Sequence, residues 1–238
     1  MPTATQSAAS LQGVSKLYGS FAALRNLSVD IRAGECVMVL GENGAGKSTL
    51  LRLLAGLIRP TMGAVQVLGD TPEECRSRIG YMSHAPMLYD ELTALENLLY
   101  FEGLYLFSKD GPTACTPCSR NAERVLAAVG LDPKLTRPVG DYSQGMRQRA
   151  SLARAILSDP ELLMLDEPFS NLDTAGAAQM VTLLSEFRSW PLRGATADSK
   201  PKRTIILTTH QPQLAESLAD TVITMRAGQI LSITERAK

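Results

Sequence analysis

The amino-acid sequence predicts an α/β fold: a phosphate-loop core on a mainly parallel sheet, with an antiparallel β flank and a helical insertion. Three observations predict it. The apolar run Val37-Met38-Val39-Leu40 leads through a glycine-rich loop, Gly41 to Thr49, into the helix-like Leu50-Leu51-Arg52-Leu53-Leu54. Two further segments, the apolar Leu162 to Leu165 and Thr204 to Thr208 with Ile205-Ile206-Leu207 at its centre, read as parallel strands buried on both faces. From about Leu92 to Leu157 the apolar residues recur at helical spacing with no strong strand signal, which marks the insertion.

Taken in order, the first forty residues read as short strands and turns: Leu11 to Leu17, then Leu27 to Ile31, then a turn at Ala33-Gly34. A helix is predicted from Lys47 to about Leu57, broken by Pro60 and Gly63 and followed by strands at Ala64 to Leu68 and Ile79 to Met82. Inside the helical stretch, Ser108 to Asn121 is rich in Gly, Pro, Thr and Ser and reads as an exposed loop. A helix from about Thr174 to Ser189 separates the two later parallel strands, and Pro191 to Arg203 reads as a polar, mobile linker. Thr221 to Met225 and Gln229 to Ile233, across Ala227-Gly228, resemble a terminal hairpin.

The chemistry is concentrated at the ends of the strands. In Gly41-Glu42-Asn43-Gly44-Ala45-Gly46-Lys47-Ser48-Thr49 the glycines let the backbone wrap round phosphates, and the following helix N-terminus adds fixed positive partial charge. Lys47 is placed to reach the β- and γ-phosphates of a nucleoside triphosphate, and Ser48 to offer its hydroxyl to Mg²⁺. Leu162 to Leu165 ends in Asp166-Glu167, at the sheet edge where the phosphate loop opens. Asp166 suits the Mg²⁺ sphere, and Glu167 suits the general base that polarises an attacking water. Thr208-Thr209-His210 ends a strand in the same way, and His210 is suited to orient water or contact the γ-phosphate. Ser143 is a good N-cap for the helix Ala150 to Leu157, with Gly145 allowing close backbone approach.

Composition narrows the classes. The 238 residues are 45% hydrophobic and 20% charged, which is globular and neither disordered nor fibrous. Lys plus Arg and Asp plus Glu balance at 24 each, with no basic run, so nucleic acid is not expected as the main partner. Met1 to Ser10 lacks the charge and apolar stretch of a secretory signal, and no apolar run reaches bilayer length. A cytosolic protein is expected, with any membrane role through a partner. Cys115-Thr116-Pro117-Cys118 has no second pair, so reduced loop thiols are expected rather than a zinc site.

The order of these motifs resembles the ATP-binding cassette (ABC) ATPases: a phosphate loop, then Tyr142-Ser143-Gln144-Gly145-Met146, then Asp166-Glu167, Ser170-Asn171-Leu172-Asp173 and His210. The resemblance covers nearly the whole chain. It implies a single nucleotide-binding domain with a RecA-like core and a helical subdomain at about 84–157. Tyr18 would then stack on adenine, and Gly41 to Thr49 would hold the phosphates of ATP. Ser143 to Met146 would contact the γ-phosphate held by a second copy, Asp173 would communicate across that dimer, and His210 would be the switch histidine. The implied cofactors are ATP and Mg²⁺, and the implied partners are a homodimer mate and a membrane permease at the inner face of the cell membrane.

Two departures from the family pattern stand out. Tyr142, Gln144 and Met146 replace the commonest Leu, Gly and Gln, while Ser143 and Gly145 are kept. His84, in Tyr81-Met82-Ser83-His84, stands where the family has a glutamine that touches Mg²⁺ and signals to the permease. His84 and the stretch to Phe107, with Leu92 to Leu98, look like the haem-exporter-type ATPase of cytochrome c maturation. Alternatives are the subunit of another exporter or a soluble ABC ATPase without a transport role. Tyr100, Phe101, Tyr105 and Phe107 would lie near the groove for a permease helix, although core packing explains them equally well. A GTPase would need a guanine-reading Asn-Lys-x-Asp, which is not found, and a kinase reading leaves Tyr142 to Met146 unexplained.

Overall fold

Two sheets and a layer of helices make up the computed structural model, which describes residues 7–110, 119–191 and 203–236. Strands β1 (Ser7–Tyr18) and β2 (Phe21–Arg32) form an antiparallel hairpin, and β4 (Met62–Val67) pairs with the other side of β1. Instead of the short strands expected there, β1 and β2 each run for 12 residues. Gly13 and Asn26 take left-handed conformations beside breaks in register, so bulges carry the ladder past polar residues that read as turns.

The second sheet has the order β5-β6-β7-β3-β8-β9, with β3 (Cys36–Leu40), β5 (Ile79–Met82), β6 (Leu162–Asp166), β7 (Thr204–Thr209), β8 (Thr221–Arg226) and β9 (Gln229–Glu235). Every pair is parallel except the terminal β8–β9 hairpin. All residues of β6 and β7 are buried, as their apolar centres predict. Parallel pairing brings the carboxyl ends Leu40, Met82, Asp166 and Thr209 to one edge, where the loops bearing the candidate site residues begin.

Helix α1 (Lys47–Leu54) stops earlier than predicted. Gly56, at φ +66°, donates to Leu53 O at 3.0 Å and Leu57 donates to Arg52 O at 2.9 Å, the paired bonds that close a helix on a left-handed glycine. Between the sheets, α1 packs Leu51 and Leu54 among Val14, Leu24, Val39 and Ile206. A separate core lies under α2 (Ala94–Asp110), α3 (Ser119–Ala128) and α4 (Gln144–Ile156), where Leu98, Leu126, Leu152 and Ile156 meet Met82 and Leu165. The expected loop Ser108 to Asn121 is helical at both ends, because the buried spacing Ala122, Val125, Leu126 carries α3 back to Ser119. Residues 111–118, with Cys115 and Cys118, lie outside the described residues.

Helix α5 (Thr174–Ser189) has the predicted bounds, and a short α6 (Pro212–Ala215) follows β7. Residues 192–202 of the expected linker lie outside the described residues, but Arg203 does not belong to a polar linker at all: it is buried. Its guanidinium donates to Pro160 O at 2.5 Å, Asp159 Oδ1 at 2.6 Å and Pro191 O at 2.9 Å, and it lies 4.9 Å from the Phe187 ring centroid. A planar head with five donors finds acceptors for its charge while its stem packs as core.

Two features fix the site's surroundings. The turn of the β8–β9 hairpin is clasped to the phosphate loop, with Gly228 N–H donating to Ala45 O at 3.1 Å and Gly228 O accepting from Arg25 N–H at 2.8 Å. Arg154 of α4 donates to Tyr81 O at 2.8 Å, which sets α4 against the strand that leads to His84.

Candidate active site

The phosphate loop joins β3 to α1, and its glycines are required by geometry. Gly46 caps α1 at φ +101°, where a Cβ would lie 2.7 Å from Ala23 O. At Gly41 a Cβ would strike the Met225 carbonyl. Residues Asn43 to Thr49 line a cavity of about 330 Å³ together with Phe21, Ala23, Arg52, His84, Asp166 and Glu167. Lys47 is 7% exposed, and its ammonium donates to Gly41 O at 2.7 Å and Glu42 O at 3.3 Å. It also lies 3.8 Å from Glu167 Oε1, so the loop's cation and the strand's second carboxylate share one pocket.

A chain of oxygens runs across the sheet edge beneath that pocket. Ser48 Oγ donates to Asp166 Oδ1 at 3.0 Å, and Thr208 Oγ1 donates to the same oxygen at 2.8 Å. The Thr208 hydroxyl in turn accepts from Glu167 N–H at 3.0 Å. Asp166 is 3% exposed, and among the described residues no cation pairs with it. Two hard oxygens, Ser48 Oγ and a buried carboxylate that no cation meets among the described residues, have the chemistry that would suit Mg²⁺. Among the described residues no group of three or more His, Cys, Asp or Glu is gathered for a metal.

Glu167 adopts φ +54°, an uncommon conformation that turns its carboxylate out of the strand toward β7's end. There Oε2 accepts the His210 backbone N–H at 3.2 Å and lies 2.9 Å from His210 Nδ1. One oxygen of this carboxylate is thus held by His210 and the other faces Lys47. His84 lies in the same cavity, brought there by the end of β5.

Ser143, Gly145 and Asp173 are not part of this pocket. They line a second cavity of about 430 Å³ with Gln144, Asn171, Leu172 and Gly176, which shares no residue with the first. Helix α4 starts at Gln144, earlier than the predicted Ala150, because Ser143 Oγ caps it by accepting from Met146 N–H at 3.3 Å. Asp173 caps α5 in the same way, accepting from Gly176 N–H at 2.7 Å. Buried Gln148 donates to Ser170 O at 3.2 Å and ties α4 to the loop that leads into Asp173. A Cβ on Gly145 would meet nothing closer than Leu172 Cδ2 at 3.8 Å, so packing within the chain does not require a glycine there.

Tyr18 stands outside the first cavity, at the tip of the β1–β2 hairpin, with the Lys16 ammonium 5.1 Å from its ring centroid. Sequence reasoning missed Phe21 and Thr208. Phe21 reaches the pocket only through the pairing of the hairpin, and Thr208 is recognisable only as a hydroxyl inside a fully buried strand. Of the aromatic cluster, Tyr100 is exposed beside Tyr89 and Leu104, whereas Phe101 and Tyr105 pack on the core. Phe107 has no described side chain.

Comparison with known proteins gives one consistent answer. A family profile described as ABC transporter matches residues 24–170. Nod factor export ATP-binding protein I of Rhizobium johnstonii is 37% identical, over 92% of this chain and 66% of its own length. Bacitracin transport ATP-binding protein BcrA of Bacillus licheniformis is 34% identical, over 92% of this chain and 66% of its own. The chain therefore spans just under two thirds of each. A dimeric ATP-binding cassette solved in a post-hydrolysis state with ADP and Pi superposes with TM-score 0.79 at 26% identity, covering 97% of this chain and 100% of that one.

Proposed function

The chain belongs to the ABC transporter family, and we propose that it is the ATP-hydrolysing subunit of an export system, working at the inner face of the cell membrane on a separate permease. Gly41 to Thr49, with Lys47 and Ser48, bind the triphosphate. Asp166 and Ser48 would hold Mg²⁺, which would supply charge neutralisation at the phosphates when bound. Glu167 takes the proton of the attacking water, and His210 keeps that carboxylate in place. His84 lines the same pocket, brought there by the end of β5, where a ring nitrogen could hydrogen-bond a water beside the phosphates. Among the described residues no helix is long and apolar enough to cross a membrane, which accords with a separate permease.

The observation that carries the dimeric form of this reading is the separation of the two cavities. Ser143, Gly145 and Asp173 line a cavity that shares no residue with the one that holds Lys47, and the chain leaves room for a Cβ at Gly145. A second copy, face to face, would bring its own nucleotide to them, and the charge of the phosphates would hold the pair closed until hydrolysis. Purified protein is expected to hydrolyse Mg·ATP, and Glu167→Gln to accumulate an ATP-dependent dimer by size-exclusion chromatography with light scattering. A protein monomeric at every ATP concentration would overturn the dimeric reading.

The relatives named for Nod factor export and bacitracin transport support an exporter of that general kind. Haem export rests on the sequence of His84 to Phe107 alone. The exposed Met87, Tyr89, Tyr100 and Leu104 offer an apolar surface for the permease. Identification of the integral membrane protein that copurifies with this chain, followed by assay of haem against amphipathic peptides, separates the two substrates.

A further inference from the structure

We infer that Arg137 is a positioning residue for the half-site at Ser143: its guanidinium clamps Tyr142 and Met146, which stand on either side of Ser143-Gln144-Gly145, and so sets the cap that a second copy's triphosphate would meet. The inference rests on the dimeric reading above and deepens it by naming what holds that half-site in this chain. Two contacts carry it. The Arg137 guanidinium lies 5.2 Å from the Tyr142 ring centroid, and its Nη2 donates to Met146 Sδ at 2.8 Å. Both partners are departures from the commonest family residues, and a leucine at 142 would offer the guanidinium no ring face at all.

The backbone brings Arg137 to this place. Pro138 leads in extended conformation into the short turn Val139–Asp141, and Tyr142 N–H closes the turn on Val139 O at 3.0 Å. The turn is fixed from outside, with Val139 N–H donating to Leu92 O at 2.8 Å and Gly140 N–H to Asp90 O at 2.9 Å. Arg137, at its entry, is thereby carried over Tyr142, at its exit. Tyr142 is 6% exposed and Met146 packs on the same core, so burial anchors both side chains. Arg137 is exposed, and among the described residues no carboxylate pairs with it. A planar fork can lay its face on a ring and turn an edge N–H to a second acceptor, which an ammonium does not do at once. Met146 is also the residue whose N–H donates to Ser143 Oγ at 3.3 Å. Holding its thioether therefore holds the donor that orients the Ser143 hydroxyl. Arg137 does not itself line the cavity at Ser143, so it works through these two side chains.

The test uses the full chain carrying Glu167→Gln, with ATP-driven dimerisation followed by light scattering and ATP affinity measured at chain concentrations too low for dimers. Arg137→Ala removes an exposed cation–π contact from each of two half-sites, so the dimer dissociation constant should rise roughly tenfold. ATP affinity of the single copy, set by Lys47 and its loop, should stay unchanged. Arg137→Lys keeps a charge over the ring without the fork and should fall between the two. In a Tyr142→Leu/Met146→Leu background, which leaves the guanidinium nothing to hold, adding Arg137→Ala should change dimerisation by less than about twofold. Unaltered dimerisation in Arg137→Ala overturns the inference, as does an equal loss in the Tyr142→Leu/Met146→Leu background, which would mean that Arg137 does not act through those side chains. A parallel loss of single-copy ATP affinity would mark a general disturbance and overturn it too. Should the Glu167→Gln chain with Arg137 in place fail to dimerise at any ATP concentration, the dimeric reading falls, and this inference with it.

Discussion

One carboxylate oxygen of Glu167 meets His210 twice, accepting its backbone N–H at 3.2 Å and lying 2.9 Å from its Nδ1. The main-chain bond survives any change of side chain, whereas the imidazole contact does not. His210→Ala should therefore lower kcat by about a hundredfold, within the range for proton-transfer groups, and leave KM for ATP little changed. Steady-state phosphate release checks this, and a KM rise with unchanged kcat would sink it.

Thr208 bridges two carboxylate residues with one hydroxyl, donating to Asp166 Oδ1 and accepting from Glu167 N–H. Thr208→Val keeps the shape, leaves the Glu167 N–H without its partner and takes one of two hydroxyl donors from Asp166 Oδ1, at a cost of about 1–3 kcal/mol. Urea denaturation should report that loss, and the Mg²⁺ concentration needed for half-maximal ATPase should rise. Unchanged stability and Mg²⁺ dependence together would show that the bridge is idle.

Arg203 joins the segment before β6 to the end of α5 through Asp159, Pro160 and Pro191. Arg203→Met fills the volume but removes the guanidinium's donors to Pro160 O, Pro191 O and the Asp159 carboxylate. A destabilisation of about 3–5 kcal/mol is expected, as for a broken buried pair. The cost should appear in denaturation midpoints, with the turnover of the folded fraction preserved.

The start of α2 carries a reciprocal cap. Glu96 Oε2 accepts from Thr93 N–H and Oγ1, both at 2.8 Å, and Thr93 Oγ1 accepts from Glu96 N–H at 3.2 Å. The backbone bond from Thr93, followed by its hydroxyl, holds the Glu96 carboxyl below the ordinary glutamate value. A carboxylate with a depressed folded pKa stabilises above its unfolded pKa, and that stability disappears as pH falls through the lowered folded value. The stability gap between the unaltered chain and Glu96→Ala should thus be full near neutrality and close in acid. A gap constant across acid pH would contradict the assignment.

How much of this was legible in the sequence follows from how local each feature is. The phosphate loop, Asp166-Glu167 and His210 are each a strand end followed by its own loop, so a few neighbouring residues suffice to recognise them. Parallel pairing then gathers them without further information, because every carboxyl end falls on one edge. Phe21 escaped because its place beside the phosphate loop depends on the pairing of the β1–β2 hairpin, which nothing near it in the sequence announces. The lengths of β1 and β2 escaped because bulges at Gly13 and Asn26 look like turns until the partner strand is seen. Arg203 was misread since composition marks a guanidinium as solvated, and only distant carbonyls reveal that its charge is met inside.

The clasp between Gly228, Ala45 and Arg25 has a practical consequence for anyone altering this chain. Hairpin tips are ordinarily forgiving places for tags, reporters and inserted peptides. Here the tip at Ala227-Gly228 leans on the back of the loop that grips the triphosphate, and a Cβ on Gly228 would lie 2.7 Å from Ala23 O. An epitope spliced into it would press on the nucleotide's cradle from behind, so labelling schemes should look elsewhere on the surface.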